Sequence, residues 1–248
     1  MISPEDAAKK AMSRIKALAD PEKAIEVQRY FKEQVSCYGL TAAQVRRIAL
    51  DLYEEVRGDW TLQQAADLCE ILLPNRYAEA KGVATTIFLR YTADFGRPVF
   101  PLIKRWLVRN YCDNWAAVDG LCPDGVGALL EKYPVLVRKI KGWTASPNRW
   151  VKRAAAVSFI KLARRGRNLE TAYAISKRLF AVDDDLIEKA NGWLLREAGK
   201  TDMARLEKFL ERHGTAIPRT TLRYAIERFP EAKRKQLLLR TRARPARS

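Results

Sequence analysis

Signals that begin an α-helix recur along the whole of this 248-residue chain, and they constrain its fold more than any other feature. In Ser3-Pro4-Glu5-Asp6 a capping hydroxyl is followed by a first-turn proline and two carboxylates. That order suits a helix start, where unpaired amides and the positive end of the dipole must be satisfied. Thr41-x-x-Gln44 and Thr61-x-x-Gln64 both fit the capping box, in which two side chains satisfy two otherwise orphaned amides. Between such starts apolar residues return at helical spacing: Ile48, Leu52, Tyr53 and Val56 in one segment, Ala65, Leu68, Cys69 and Leu72 in the next. No sustained apolar/polar alternation is present, and no hairpin dipeptide lies between two β-rich runs. Asn191-Gly192 falls inside the helical pattern from Leu186 to Glu197, where it marks close packing rather than a turn.

The helical segments are short and are joined by connectors such as Arg57-Gly58-Asp59, Pro74-Asn75, Gly96-Arg97-Pro98 and His213-Gly214. They predict about twelve helices in antiparallel pairs of roughly 35 to 45 residues, a loose period without a tight repeat motif. Such a period suits an all-α, HEAT-like solenoid whose stacked pairs form a superhelix with a concave face. A compact helical bundle is the alternative. The expected organisation is one helical-repeat domain over residues 1–239 and a basic tail over 240–248.

Charge narrows the partners. Lys and Arg number 46 against 29 Asp and Glu, a net charge of +17, which favours nucleic acid or another polyanion. The C-terminal cations Lys233, Arg234, Lys235, Arg240, Arg242, Arg244 and Arg247 would add phosphate contact through counterion release, or simply keep a tail solvated. Cys37, Cys69, Cys112 and Cys122 are widely spaced and only His213 could join them, so neither a zinc site nor a disulfide framework is expected. A reducing cytoplasm fits that usage. Met1-Ile2-Ser3-Pro4-Glu5-Asp6 lacks the order of a signal peptide, and no apolar run approaches membrane-spanning length.

Three clusters could carry chemistry. In Tyr111-Cys112-Asp113-Asn114-Trp115-Ala116-Ala117-Val118-Asp119, Trp115 and Asp119 share one helix face at i, i+4. In Trp143 to Arg153, Ser146-Pro147-Asn148 reads as a helix start with Lys152 and Arg153 just inside it, so amides and cations could meet a phosphate. The third runs from Ile187 to Glu197 and holds Lys189 and Trp193. Each has a plain structural reading: a helical tryptophan is core more often than site, Arg153 could pair with a carboxylate, and Asp119 could cap or bridge. Six tryptophans in a basic chain do suit nucleotide contact, since aromatic faces beside cations stack on bases.

Read in order, the motifs resemble the AlkD family of bacterial DNA glycosylases. The resemblance rests on Asp20-Pro21-Glu22-Lys23-Ala24, Tyr30-Phe31-Lys32, Tyr38-Gly39-Leu40, Trp115-x-x-x-Asp119, Ser146-x-Asn148-x-Trp150-x-x-Arg153 and Lys189-Ala190-x-Gly192-Trp193-x-Leu195-Arg196-Glu197, across residues 18–230. It implies a HEAT-like superhelix cradling duplex DNA in a concave basic face, and hydrolysis of the N-glycosidic bond of cationic lesions, chiefly 3-methyladenine and 7-methylguanine. It further implies a catalytic cleft of Trp115, Asp119 and Trp193, with Arg153 at the DNA backbone and Tyr30 facing DNA. Lys152, Lys189, Ser146 and Asn148 join the expected DNA-binding set. No cofactor or metal is implied, and the target base would stay stacked or solvent-facing rather than enter a pocket.

Expected, then, is a monomeric base-excision repair enzyme of the bacterial cytoplasm and nucleoid, acting on double-stranded DNA with alkylated bases, with Trp115, Asp119, Arg153 and Trp193 on one surface. A noncatalytic HEAT-repeat protein binding damaged or branched DNA is the alternative. Two departures from the family pattern stand out: the small apolar Ala116-Ala117-Val118 between Trp115 and Asp119, and the long basic C-terminus. Asp113, just before the pair, could be mistaken for the catalytic carboxylate, and spacing favours Asp119.

Overall fold

A computed structural model describes residues 2–241, so Arg242, Arg244 and Arg247 of the expected basic tail lie outside the described residues. The described chain is helical throughout, with no strand and one isolated backbone bridge, Ser36 to Tyr77. The all-helical expectation holds. No described helix is long and apolar enough to cross a membrane.

The chain forms two compact units that divide between Leu129 and Leu130. The first contains α1 (Pro4–Ala17), α2 (Pro21–Gln28), α3 (Ala42–Val56), α4 (Leu62–Leu72), α5 (Ala78–Phe88), α6 (Val99–Val108) and α7 (Trp115–Leu121). The chain passes into the second within α8 (Gly125–Lys132). There follow α9 (Leu136–Lys141), α10 (Arg149–Val157), α11 (Ile160–Arg164), α12 (Leu169–Leu179), α13 (Asp185–Gly199), α14 (Met203–His213), α15 (Arg219–Ala225) and α16 (Glu231–Arg240).

Sixteen α-helices among the described residues exceed the expected dozen because several apolar runs are interrupted. Between α10 and α11, for example, Ser158 Oγ donates to Ala154 O at 2.7 Å, a back-bond that competes with the regular ladder. The cap signals act as read. Ser3 Oγ accepts from Asp6 N at 3.1 Å, and Thr41 with Gln44 and Thr61 with Gln64 close complete capping boxes. Thr41 and Thr61 thereby fix where α3 and α4 begin.

In the first unit α5 is central, packed against α3, α4 and α7. Its apolar side chains Ala80, Val83, Ala84, Ile87 and Phe88 are all buried, and Glu79 and Lys81 are buried among them. In the second unit α13 holds that place, packed against α10, α11, α12 and α15. Asn191 Nδ2 donates to Ser176 O at 3.0 Å, which joins α13 to α12. Thr221 Oγ1 donates to Glu188 O at 3.0 Å, which joins α15 to α13. The C-terminal cations are partly committed within this unit: Lys233 pairs with Glu207, and Arg240 Nη1 lies 2.6 Å from Glu211.

Gly192 confirms the close-packing reading of Asn191-Gly192. A Cβ there would stand 2.4 Å from Tyr224 Cβ and 2.6 Å from the Thr221 carbonyl oxygen, so only glycine lets α15 lie this near α13. Gly192→Ala is therefore expected to destabilise the protein by about 1–3 kcal/mol, because the backbone contact cannot yield as a flexible side chain would. Urea denaturation measures this, and a variant as stable as wild type would contradict the packing described.

Candidate nucleic-acid interface

The start of α7 is built before the site residues appear on it. Asn114 is buried and accepts from Ala117 N at 2.9 Å, capping the helix whose first residue is Trp115. Its Nδ2 donates to Asp113 Oδ1 at 3.1 Å. Asp113 also lies 3.3 Å from the ammonium of Lys81, which donates to Leu73 O at 2.6 Å and Tyr111 O at 2.8 Å. Lys81 is only 2% exposed, so these oxygens replace water around its charge. Beside it, burial pushes the Cys112 thiol up to about 12, and this cysteine packs as an apolar side chain. Asp113 is thus committed to Lys81 and Asn114 on the turn before the helix.

Trp115 and Asp119 stand on α7 itself, one turn apart and both half-buried, while Ala117, Val118 and Leu121 face the core. The small residues between the pair are explained by that burial: Ala117 and Val118 are packing positions. Phe31 stacks on Trp115 with ring centroids 5.1 Å apart and planes inclined by 25°. Its neighbour Tyr30 is 77% exposed.

The Tyr38-Gly39-Leu40 motif also has a structural cause. The amides of Tyr38, Gly39 and Leu40 donate to one oxygen of buried Glu79, at 2.8, 3.0 and 3.2 Å. Gly39 has a φ of +86°, and a Cβ there would fall 2.1 Å from Asp20 O. Consecutive amides turned to one side in this way form a concave nest for an anion, here filled by the protein's own carboxylate. Asp20 N in turn donates to Tyr38 O at 2.7 Å, and Asp20 Oδ1 caps α2 by accepting from Lys23 N at 3.0 Å.

In the second unit the structure joins two of the sequence clusters. Arg153 is buried, and its Nη1 donates to the carbonyl oxygen of Leu186, tying α10 to α13. The helix carrying Lys189 and Trp193 is therefore anchored through Arg153. Trp193 is half-buried, and Lys189 is half-buried and paired with Asp185 at 2.9 Å. Lys152 is half-buried on α10. Asn148 is the N-cap of α10: its Oδ1 accepts from Trp150 N at 2.8 Å and Val151 N at 3.2 Å, and Ser146 Oγ accepts from Asn148 N at 3.2 Å. Those two first-turn amides are thus satisfied by the protein, contrary to the expectation that they stand free for a phosphate.

Sequence reasoning missed Glu79, Lys81 and Asn114, and quoted Phe31 in a motif without giving it a role. A signal existed for the first two, since Glu79 and Lys81 interrupt the mainly apolar stretch from Ala78 to Phe88. Asn114 was visible as a capping residue type directly before Trp115. Among the described residues no cluster of His, Cys, Asp and Glu is arranged to hold a metal ion.

Fold and charge together define an all-helical, strongly basic protein. The sequence profile of the family described as DNA alkylation repair enzyme matches residues 11–229, and the chain belongs to that family. Its role accordingly lies in the repair of alkylation damage, with DNA as the substrate. A solved structure described as a predicted DNA alkylation repair enzyme from Enterococcus faecalis matches 86% of this chain and 97% of its own, with a TM-score of 0.74 and 19% identity. At that identity the likeness is one of fold. No curated protein matches the sequence.

Glu197 closes the last motif and shows why its charged end matters. The residue is 1% exposed, with Arg164 Nε and Lys200 Nζ each 2.7 Å from Oε2. Burial raises its pKa, but the hydrogen bonds from Lys200 and Arg164 outweigh burial and hold it below the ordinary 4.5. A depressed pKa means that its stabilisation is present above the unfolded value and is lost as pH falls through the folded one. Stability measured by urea between about pH 6 and 3 should therefore fall less steeply in Glu197→Gln than in wild type. Parallel loss in both proteins would exclude Glu197 as a linked group.

Proposed function

We propose that this chain is a monofunctional DNA glycosylase that hydrolyses the N-glycosidic bond of cationic alkylated bases, chiefly 3-methyladenine and 7-methylguanine, in double-stranded DNA. The observation that carries the reading is the Trp115–Asp119 pair, one turn apart on a helix whose start is fixed by Asn114 and Lys81. Alkylation at a ring nitrogen gives the base a positive charge, so it departs neutral, taking the electron pair of the C1′–N bond. Positive, oxocarbenium-like charge develops on the sugar. Water then forms the new bond at C1′ and gives up a proton.

In this mechanism ionised Asp119 stabilises the sugar cation and orients the water. The indole faces of Trp115 and Trp193 attract the same charge, worth about 0.5–2 kcal/mol each. No general acid is required for a leaving group that is already cationic. The leaving base is not read by a pocket; lesion charge and bond lability select the substrate, in contrast to glycosylases that extrude the base. Tyr30, Lys152 and Lys189, exposed or half-buried, take the direct contacts to the sugar-phosphate backbone. Arg153 contributes through its anchorage of α13 as well as through its charge, and Ser146 and Asn148 shape the entry to α10. The helices are read as HEAT-like repeats and the protein as a monomer of the bacterial cytoplasm.

Asp119→Asn should lower release of 7-methylguanine from methylated duplex by about 10²–10³-fold, the scale for removing one preorganised electrostatic group. DNA affinity should hold or rise, since a negative charge facing phosphates is removed. Wild-type protein that binds the duplex but releases no base would leave only the noncatalytic DNA-binding reading. Affinity that does not change with salt would remove the DNA reading as well.

A further inference from the structure

Phe31 is placed by an arm of the chain that has almost no core of its own. No residue of α2 is buried, and Ile25 and Tyr30 are 67% and 77% exposed. Apolar contact in the segment that follows comes from the Phe31 and Tyr38 ring stacks and buried Leu40. Polar ties supplement it. Gln28 folds the turn after α2, donating from Nε2 to Glu33 O at 2.8 Å and accepting from Val35 N at 2.9 Å. The segment then runs into the Tyr38–Leu40 loop, whose three amides are held by Glu79.

Trp115 is placed from the other side by the same helix. Lys81, two residues beyond Glu79 on α5, holds Tyr111 O and Asp113, and Asn114 then caps α7 at Trp115. The two buried charges of α5 reach different loops, one leading to Phe31 and the other to Trp115, and the two rings meet in the stack between them. Neither aromatic is sealed in the core; both are half-buried. The stack thus covers part of a half-buried indole and restricts its rotation.

We propose that Phe31 is a positioning residue for Trp115, and that Glu79 and Lys81 form the bracket that brings the two rings together. The proposal rests on the glycosylase reading for its consequence in the reaction, because the indole must present its face to a charge on the sugar. Cation–π attraction depends on the cation lying over the ring, so loss of orientation is felt in the transition state more than in DNA binding. Misplacement by about 1 Å is enough to lower a rate by up to 10²-fold.

The test uses the full-length protein with Phe31→Leu, Phe31→Tyr and Lys81→Met, each also made with Trp115→Phe. The difference in emission between paired proteins isolates Trp115, and acrylamide quenching then reports how well its indole is covered. Single-turnover release of 7-methylguanine and affinity for the same methylated duplex are measured alongside. Phe31→Leu, which keeps bulk but removes the ring, should expose Trp115 to quenching and slow release about tenfold with little change in affinity. Phe31→Tyr should retain wild-type quenching and rate, while Lys81→Met should shift quenching in the same direction as Phe31→Leu. Unchanged quenching in Phe31→Leu, or release and affinity falling together, overturns the proposal. Wild-type protein that releases no base defeats the glycosylase reading instead, and the quenching comparison still decides whether Phe31 fixes the indole.

Discussion

An ammonium group shut away from water must find oxygens in the fold, and Lys81 finds them on two separate segments of the chain. Leu73 O is at the C-terminal end of α4, where helix carbonyls lack partners and the dipole is negative, so a cation is favoured there. Tyr111 O and Asp113 belong to the turn before α7. One buried charge therefore joins the end of one helix to the beginning of another. Its neighbour Glu79 performs the inverse task, an anion satisfied by three backbone amides. Charge-assisted hydrogen bonds of this kind are directional and roughly twice as strong as neutral ones. They can hold loops to tolerances that apolar packing alone would leave loose. The first unit depends on α5 in this sense: its apolar side chains contribute to the core, and its two charges hold the loops that lead to the half-buried Phe31 and Trp115.

The second unit solves a similar problem with small residues. α13 receives α15 across Gly192, where backbone meets backbone without an intervening side chain, and Asn191 and Thr221 supply hydrogen bonds on either side of that contact. Arg153 adds a cationic tie from α10 to Leu186 on the same helix. A tryptophan next to the glycine is consequently mounted on a helix that is clamped on several sides. Trp193 owes its placement to residues that sequence reading would assign to packing, and the two roles are physically inseparable.

Much of this was legible in the sequence, for identifiable reasons. Thr41, Thr61 and Ser3 announce helix starts because capping is local, a matter of residues within three positions of one another. The shared face of Trp115 and Asp119 follows from helical spacing, and Asn191-Gly192 in an apolar helical run signals close approach. What was not legible is nonlocal. Nothing near Glu79 in the chain shows that its partners lie some 40 residues earlier, at Tyr38, Gly39 and Leu40. The Tyr38-Gly39-Leu40 motif was recognised as a pattern, yet its cause is the positive φ of Gly39 and the carboxylate it faces, which only the fold reveals. The reading of α10 erred at the same level: Ser146-Pro147-Asn148 was rightly seen as a helix start, but the cap that makes it one also uses two of the amides assigned to an anion.

On the proposed reading Asp119 is a carboxylate facing DNA in a protein with a net charge of +17, and that placement needs a reason. Against phosphates a carboxylate is repulsive, and it would partly cancel the affinity that the chain's excess of Lys and Arg provides. Selection for binding alone would favour replacing it. Under the proposed reaction the balance reverses, because the species that must be stabilised is a sugar becoming positive, and a negative group is then worth more in the transition state than it costs in the ground state. The same logic applies to indoles, whose faces offer little to a phosphate but attract a cation. A surface devoted to holding DNA would dispense with both, whereas one that must steady a departing positive charge requires them together and requires them held still. Under the proposed bracket the buried charges of α5 serve that last requirement: their desolvation is offset by the backbone groups and the carboxylate they bind, and those contacts fix the loops leading to Phe31 and Trp115.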